Sequence, residues 1–377
     1  VRVEPGRPLR MAAMASLRTS TNEYYRSASY ARRSDMKQRR CIIQHLAEFS
    51  YDRPIQSIRH PQEFPLPARM HAIRQRAFGG PEVLEFVEVD RPVPGPDDVL
   101  LRVLATSVNP ADWKIRSGTA ALPVQPPFVP GFDVSGVVEQ VGDRVTRFRP
   151  GDEVHGMPTP FAGTYAEYVR APAADLAAKP AGLDHVQAGA MPAVGLTAWQ
   201  ALVRIARIQV GQRVLIHAAA GGIGHIAIQI AKAHGAHVIG TARAANHAFL
   251  RDLGADELID YTVEDFATAA RDIDVVFDNI GDAYGARSLD TLVPGGHLVS
   301  AIWDRPGVTS EQVAERGLRF DPVQVAPSAA DLEELNKLVD RGLLRVHVER
   351  TLPLRDAAKA QELSETGPVR GKLVLVP

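Results

Sequence analysis

Residues 214–243 read VLIHAAAGGIGHIAIQIAKAHGAHVIGTAR, and this stretch decides the fold. Residues 214–217 are a short apolar run of the kind a buried strand shows. Ile223, Ile226, Ala227 and Ile230 then recur at helical spacing, which places one apolar stripe on a helix over residues 222–234. A second strand follows at residues 237–240. Between the first strand and the helix lies Ala219-x-Gly221-x-x-Gly224, a dinucleotide fingerprint with Ala in its first position. Gly221 lets the backbone approach a pyrophosphate, and Gly224 permits close packing of helix on strand. The helix start at Gly222, Ile223 and Gly224 offers unpaired N–H groups and a positive dipole end to phosphates. A glycine pattern alone is weak, but strand, loop, helix and second strand in this order give it meaning.

The end of the second strand selects the cofactor. An NAD site normally carries Asp or Glu there for the ribose 2′-hydroxyl. This chain has Gly240-Thr241-Ala242-Arg243 instead. A carboxylate would repel a 2′-phosphate, whereas Arg243 can hold one through a planar fork of donors. NADP(H) is therefore the expected cofactor, with Thr241 and Ala242 beside it. The plainer reading of Arg243 is a solvated surface arginine.

Outward from this core, residues 258–260, 275–278 and 297–300 continue the strand–helix alternation, with Asn246 as a helix cap and Gly254 as a helix stop. Such alternation predicts an α/β fold with a doubly wound parallel sheet of Rossmann type. Upstream, residues 99–106, 133–141 and 164–170 read as short strands among many prolines, a mostly β domain. After a helix at residues 329–342, strands at 345–354 and 372–376 around a helix at 355–366 return to the β style. The predicted division is thus 70–193 with 345–377 for the β domain and 194–344 for the nucleotide domain.

Residues 1–69 carry 13 Lys and Arg against 6 Asp and Glu and show no periodicity. A transit peptide would be Arg- and Ser-rich but poor in acids, so a disordered or non-native extension is the preferred expectation. The whole chain of 377 residues has a formal charge of -1, which gives no pull toward nucleic acid. No apolar run is long enough to cross a membrane. Cys41 is the single cysteine, which rules out an intrachain disulfide and a multi-cysteine zinc site. A cytoplasmic location is expected.

Several ordered motifs together give a resemblance. They are Asn109-Pro110-Ala111-Asp112, Pro130-Gly131-Phe132-Asp133-Val134-Ser135-Gly136, Gly151-Asp152-Glu153-Val154, Gly195-Leu196-Thr197-Ala198, the fingerprint, Leu253-Gly254-Ala255-Asp256 and Gly371-Lys372-Leu373-Val374. From Met70 onward the chain resembles the medium-chain dehydrogenase/reductase superfamily, and within it the quinone oxidoreductase-like branch. The resemblance implies a GroES-like β domain beside the Rossmann domain, with an active site in the cleft between them. It also implies homodimers, as many members form.

Zinc-dependent relatives carry Cys where Asn109 stands and His where Phe132 stands, so no metal is expected. The implied reaction is hydride transfer from NADPH to a quinone or an α,β-unsaturated carbonyl, whose own carbonyl delocalises the arriving charge. Asn109 is the candidate amide donor, with a mere turn-forming Asn as the alternative. The resemblance places Lys114 near the nicotinamide ribose or substrate and Thr197 beside the nicotinamide. It puts Tyr261 near the adenosine phosphate and Lys372 near the pyrophosphate. Tyr165 is a candidate proton donor, although a core aromatic is the plainer reading. Two rival functions stay open: an enoyl-thioester reductase of the same fold, and an NADPH-binding sensor without catalysis.

Overall fold

Alternating strands and helices over residues 213–322 must bury apolar surface on both faces of a sheet. The computed structural model, which describes residues 68–120, 124–158, 162–302 and 304–377, shows how they do so. Six parallel strands lie in the spatial order Glu257–Ile259, His237–Thr241, Arg213–Ile216, Ile273–Asp278, Leu292–Ser300 and Arg319–Pro322. Val214 and Ile216 point into one core cluster and Leu215 into another, so the sheet is covered on both sides. Arg213–Ile216 sits between the second and fourth strands of this sheet in sequence. That order is the doubly wound arrangement, and its crevice opens beyond the carboxyl ends of these central strands.

A second sheet runs Val348–Pro353, Lys372–Val376, Asp98–Val108, Val134–Val141, Glu153–Gly156 and Leu176–Ala178, with Tyr168–Pro172 also paired to Asp98–Val108. The C-terminal strand Lys372–Val376 is antiparallel to Asp98–Val108. The last residues of the chain thereby return to the sheet that precedes the nucleotide-binding half. Arg69–Gln75 and Leu84–Asp90 form a separate antiparallel pair. Arg116 is almost wholly buried and ties the helix Pro110–Ser117 to the helix Ala357–Thr366 through Gln361 and Glu365.

The α/β class agrees with the sequence reading, while several element limits do not. The strand expected at 345–354 begins only at Val348. Helix side chains take the earlier backbone: Arg345 N–H donates to Gln229 Oε1 and His347 N–H to His225 Nε2. The strand expected at 164–170 is instead Tyr168–Pro172. Before it, Ile73 N–H donates to the carbonyl of Tyr165, and Ala166 makes only a single bridge to Ala72. Asn246 makes no side-chain cap because it ends a 3-10 turn, Ala244–Asn246. Gly254 does adopt a positive φ of 102°, as a helix stop requires. The strand Arg319–Pro322, at the edge of the six-stranded sheet beside Leu292–Ser300, is absent from the sequence reading. The reading of residues 1–69 as an extension falls almost entirely outside the described residues. No helix among the described residues is long and apolar enough to cross a membrane.

Three fully buried imidazoles make the fold acid-sensitive. Burial drives His217 down to about 3 and His155 and His225 to about 4. In the unfolded chain each would titrate near 6.5, so between that pH and about 4 the unfolded state binds more protons. Their contribution to stability is therefore lost as pH falls through this window. Asp112 acts oppositely, because burial lifts its carboxyl to about 7 and the folded state holds the extra proton. The lowered His185 and His297 add to the loss and the raised Asp278 joins Asp112 against it, so the imidazoles outnumber the carboxyls and stability falls with pH in this window. The urea midpoint is expected to fall between about pH 6.5 and pH 5, and a midpoint that rose on acidification would contradict this balance.

Candidate active site

The glycine loop is shaped by close approach. Ala218, which follows His217 at the end of the first nucleotide-domain strand, has φ 49°, a left-handed conformation unusual for alanine. Gly221 is the extended N-cap of the helix Gly222–Ala233 and makes no side-chain cap. A Cβ on Gly224 would lie 2.4 Å from the carbonyl oxygen of Ala218 and 2.7 Å from Cα of Ala219. Only glycine lets helix and strand meet here. The N–H groups of Gly222, Ile223 and Gly224 open the helix and have no carbonyl one turn back to receive them. They form a ready anion cradle at the crevice.

At the end of the second strand, Arg243 is exposed and its Nε donates to the hydroxyl of Tyr261 at 3.1 Å. Its terminal nitrogens make no hydrogen bond or ion pair among the described residues, so the planar fork is open. The nearest acid in this turn is Asp260, which sequence reasoning passed over. Its carboxylate accepts from Ala244 N–H, Thr262 N–H and the Thr262 hydroxyl, and these bonds hold it below the usual carboxylate range. Asp260 thus fastens the loop that carries Arg243. Thr241 is buried, its hydroxyl 3.2 Å from His217 Nδ1, and the Ala242 N–H is bonded to the carbonyl of Ile259.

A buried polar cluster lies on the other side of the glycine loop. Asn109 precedes the helix Pro110–Ser117, and Asp112 one turn later accepts the Asn109 backbone N–H at 2.7 Å. The Asn109 side chain donates from Nδ2 to Asp133 at 2.7 Å, and its Oδ1 accepts from Lys372 Nζ at 2.5 Å. Asp133 also accepts from the Ser107 hydroxyl at 2.5 Å and from the Ala193 N–H at 2.6 Å. Lys372 Nζ donates as well to the carbonyl of Val108 and stands 3.8 Å from Asp133. Burial pushes the Lys372 ammonium down, and the nearby carboxylates of Asp133 and Asp112 oppose that shift.

Lys372 also borders the glycine loop. Gly371 N–H donates to the carbonyl of Ala220, and a Cβ on Gly222 would come within 3.0 Å of the Lys372 stem. One short C-terminal segment therefore touches both the anion cradle and Asn109. The expectation that the Lys372 head reaches a pyrophosphate meets the fact that this head is committed to Val108 and Asn109.

The remaining candidates divide. Lys114 is half-buried on the same helix as Asp112, and its ammonium makes no hydrogen bond or ion pair among the described residues. Thr197 spends its hydroxyl on its own helix, donating to the carbonyl of Ala193 at 2.7 Å. Tyr165 is fully buried and donates to Asp112 at 3.1 Å. It packs in a core cluster, and burial and the adjacent Asp112 raise its phenol well above the ordinary value, so the plainer reading as a core aromatic fits it better than the proton-donor expectation. Phe132 packs against the core, and its ring has no lone pair to offer a metal. No group of three or more His, Cys, Asp or Glu that could hold a metal occurs among the described residues.

Sequence reasoning missed Ser107 and Asp133 as members of the cluster, and Asn279. Asn279 follows the fourth strand of the nucleotide sheet and donates from Nδ2 to the carbonyl of His217, across the crevice. Its Oδ1 is buried without a partner among the described residues. The signal available was position alone, since Asp278-Asn279-Ile280-Gly281 ends a predicted strand.

Comparison with known proteins agrees with this architecture. The Alcohol dehydrogenase GroES-like domain family matches residues 95–181, and the Zinc-binding dehydrogenase family matches residues 253–375. The quinone-oxidoreductase homolog, chloroplastic, of Spinacia oleracea is 33% identical over 324 residues, covering 82% of this chain and 98% of that protein. The quinone oxidoreductase structure from Coxiella burnetii is 38% identical with a TM-score of 0.75, covering 82% of this chain and 100% of the other. The Escherichia coli quinone oxidoreductase complexed with NADPH is 31% identical with a TM-score of 0.73, covering 81% and 100%. The chain belongs to the medium-chain dehydrogenase/reductase superfamily, in its quinone oxidoreductase-like branch. The name of the second matching family carries zinc, but Asn109, Phe132 and an ammonium beside Asp133 do not form a zinc donor set.

Proposed function

We propose that this protein is an NADPH-dependent reductase that delivers a hydride to a quinone or an α,β-unsaturated carbonyl without zinc. The observation that carries the reading is the Gly371–Lys372 segment, which joins the glycine loop to the buried Asn109 cluster. The open fork of Arg243 supports a 2′-phosphate, and the structure solved with NADPH, 31% identical, supports the cofactor class. The bound dinucleotide would supply the hydride.

The chain's own residues would then do four things. The first N–H groups of the helix Gly222–Ala233 hold the pyrophosphate. Arg243, with Tyr261 bonded to its Nε, pairs with the 2′-phosphate through two charge-assisted bonds. Asn109 Nδ2 has one N–H left after its bond to Asp133, and that N–H donates to the acceptor carbonyl as negative charge develops there. Lys114, whose ammonium has no partner among the described residues, stands on the same helix to bond the substrate or the ribose. A quinone or enone suits this equipment, because conjugation rather than a metal spreads the charge. The cytoplasmic location expected from sequence draws no support from the plant relative, whose name is chloroplastic.

The test is steady-state oxidation of NADPH with quinones, enones, enoyl thioesters and simple aldehydes, each with and without a chelator. Turnover of quinones or enones, indifferent to the chelator, is the expected outcome. Tight NADPH binding with no acceptor reduced would favour a sensor, and preference for enoyl thioesters would favour the rival reductase.

A further inference from the structure

Asn109 could present either end of its amide to a substrate, and the two ends have opposite chemistry. Its neighbours remove the choice. An ammonium can only donate, so the atom 2.5 Å from Lys372 Nζ must be the amide oxygen. A carboxylate can only accept, so the Asn109 atom 2.7 Å from Asp133 is the amide nitrogen. We propose that Lys372 and Asp133 are positioning residues that lock the Asn109 amide, so that only an N–H of Nδ2 remains for the acceptor.

This proposal rests on the reading of Asn109 as the group that bonds the substrate oxygen. It gives Lys372 a part distinct from the phosphate contact that the family resemblance implies. The lysine head is nearly inaccessible and is satisfied by Asn109 and by the Val108 carbonyl, and only its stem lines the glycine loop. A free amide would rotate between donor-forward and acceptor-forward states, and the acceptor-forward state would repel a developing enolate or hydroquinone oxygen. Holding the amide in one state before substrate arrives is preorganisation in the ordinary sense. Lys372 reaches Asn109 from 263 residues away and supplies one half of the lock, and Asp133, 24 residues from Asn109, supplies the other.

The full-length chain carries the test, with Lys372→Met and Asp133→Asn as variants. Lys372→Met is expected to lower kcat for quinone reduction about 100-fold while the NADPH Kd stays within about threefold. A Kd raised about tenfold or more with kcat at saturation retained would make Lys372 a phosphate contact and overturn the proposal. Unchanged values of both would overturn it equally.

A second readout does not depend on turnover. In 15N-asparagine-labelled protein, the Asn109 side-chain pair is assigned by its disappearance in Asn109→Asp. Its protons are expected to exchange with water at least about tenfold faster in either variant than in the unmodified chain. Unchanged exchange sinks the proposal whatever the activity shows. If Lys372→Met does not fold, Asp133→Asn, which preserves volume, decides by the same measurement. If the unmodified protein reduces no acceptor, the proposed function fails by itself, and amide exchange still decides whether Lys372 holds Asn109.

Discussion

Arg243→Glu is expected to weaken NADPH binding by about 3 kcal/mol, roughly a hundredfold in Kd, while NADH binding is kept or improved. The terminal nitrogens of the guanidinium have no partner among the described residues, and Tyr261 bonds its Nε, which limits the rotation of the fork. If Arg243 holds the 2′-phosphate as proposed, replacement removes two charge-assisted bonds to a dianionic group and puts a like charge in their place. Because Arg243 is exposed, salt screens much of this effect, so the contrast between variant and parent should be greatest at low ionic strength. Fluorescence titration of both cofactors at two salt concentrations measures it. Equal NADPH affinity in variant and parent would return Arg243 to the status of a solvated surface residue.

The second large effect is expected from Gly224→Val. A side chain there would collide with the Ala218 carbonyl and with Ala219 Cα, both backbone atoms of the turn that shapes the cradle. Neither can move without shifting the strand Arg213–Ile216 or the helix Gly222–Ala233. Overpacking of this kind costs about 3 kcal/mol, and the displaced helix start should abolish measurable NADPH binding. Gly221→Ala is the fitting contrast for stability. Its Cβ would meet a single atom, the Ala218 oxygen, at 3.3 Å, and its φ of -77° suits any residue. Urea unfolding of both variants should therefore show a large loss for Gly224→Val and a loss of about 1 kcal/mol or less for Gly221→Ala. Similar stabilities would mean that the loop yields more readily than its contacts imply.

Much of the fold was legible because its cause is local. The apolar stripe of Ile223, Ile226, Ala227 and Ile230 and the glycines at 221 and 224 act within about a dozen residues, so periodicity and spacing reveal them. Element limits were less legible wherever a distant side chain captured backbone. Gln229 and His225 take the N–H groups of Arg345 and His347 and so delay the strand expected from residue 345. Tyr165 was legible as a core aromatic, but its partner was not, since Asp112 reaches its hydroxyl from 53 residues away.

The sequence by itself determined the anion cradle, the missing carboxylate at Arg243, and the absence of His and Cys at positions 132 and 109, each a matter of which side chain stands at one position. Only the tertiary structure decided which groups Asn109 and Lys372 bond. Their chemistry depends on an ammonium, a carboxylate and an amide drawn together from three distant segments, and sequence spacing carries no record of that meeting. The physical reason is burial. Once water is excluded, each polar atom must find a partner within the protein, and those partners fix which N–H of the amide is left unbonded.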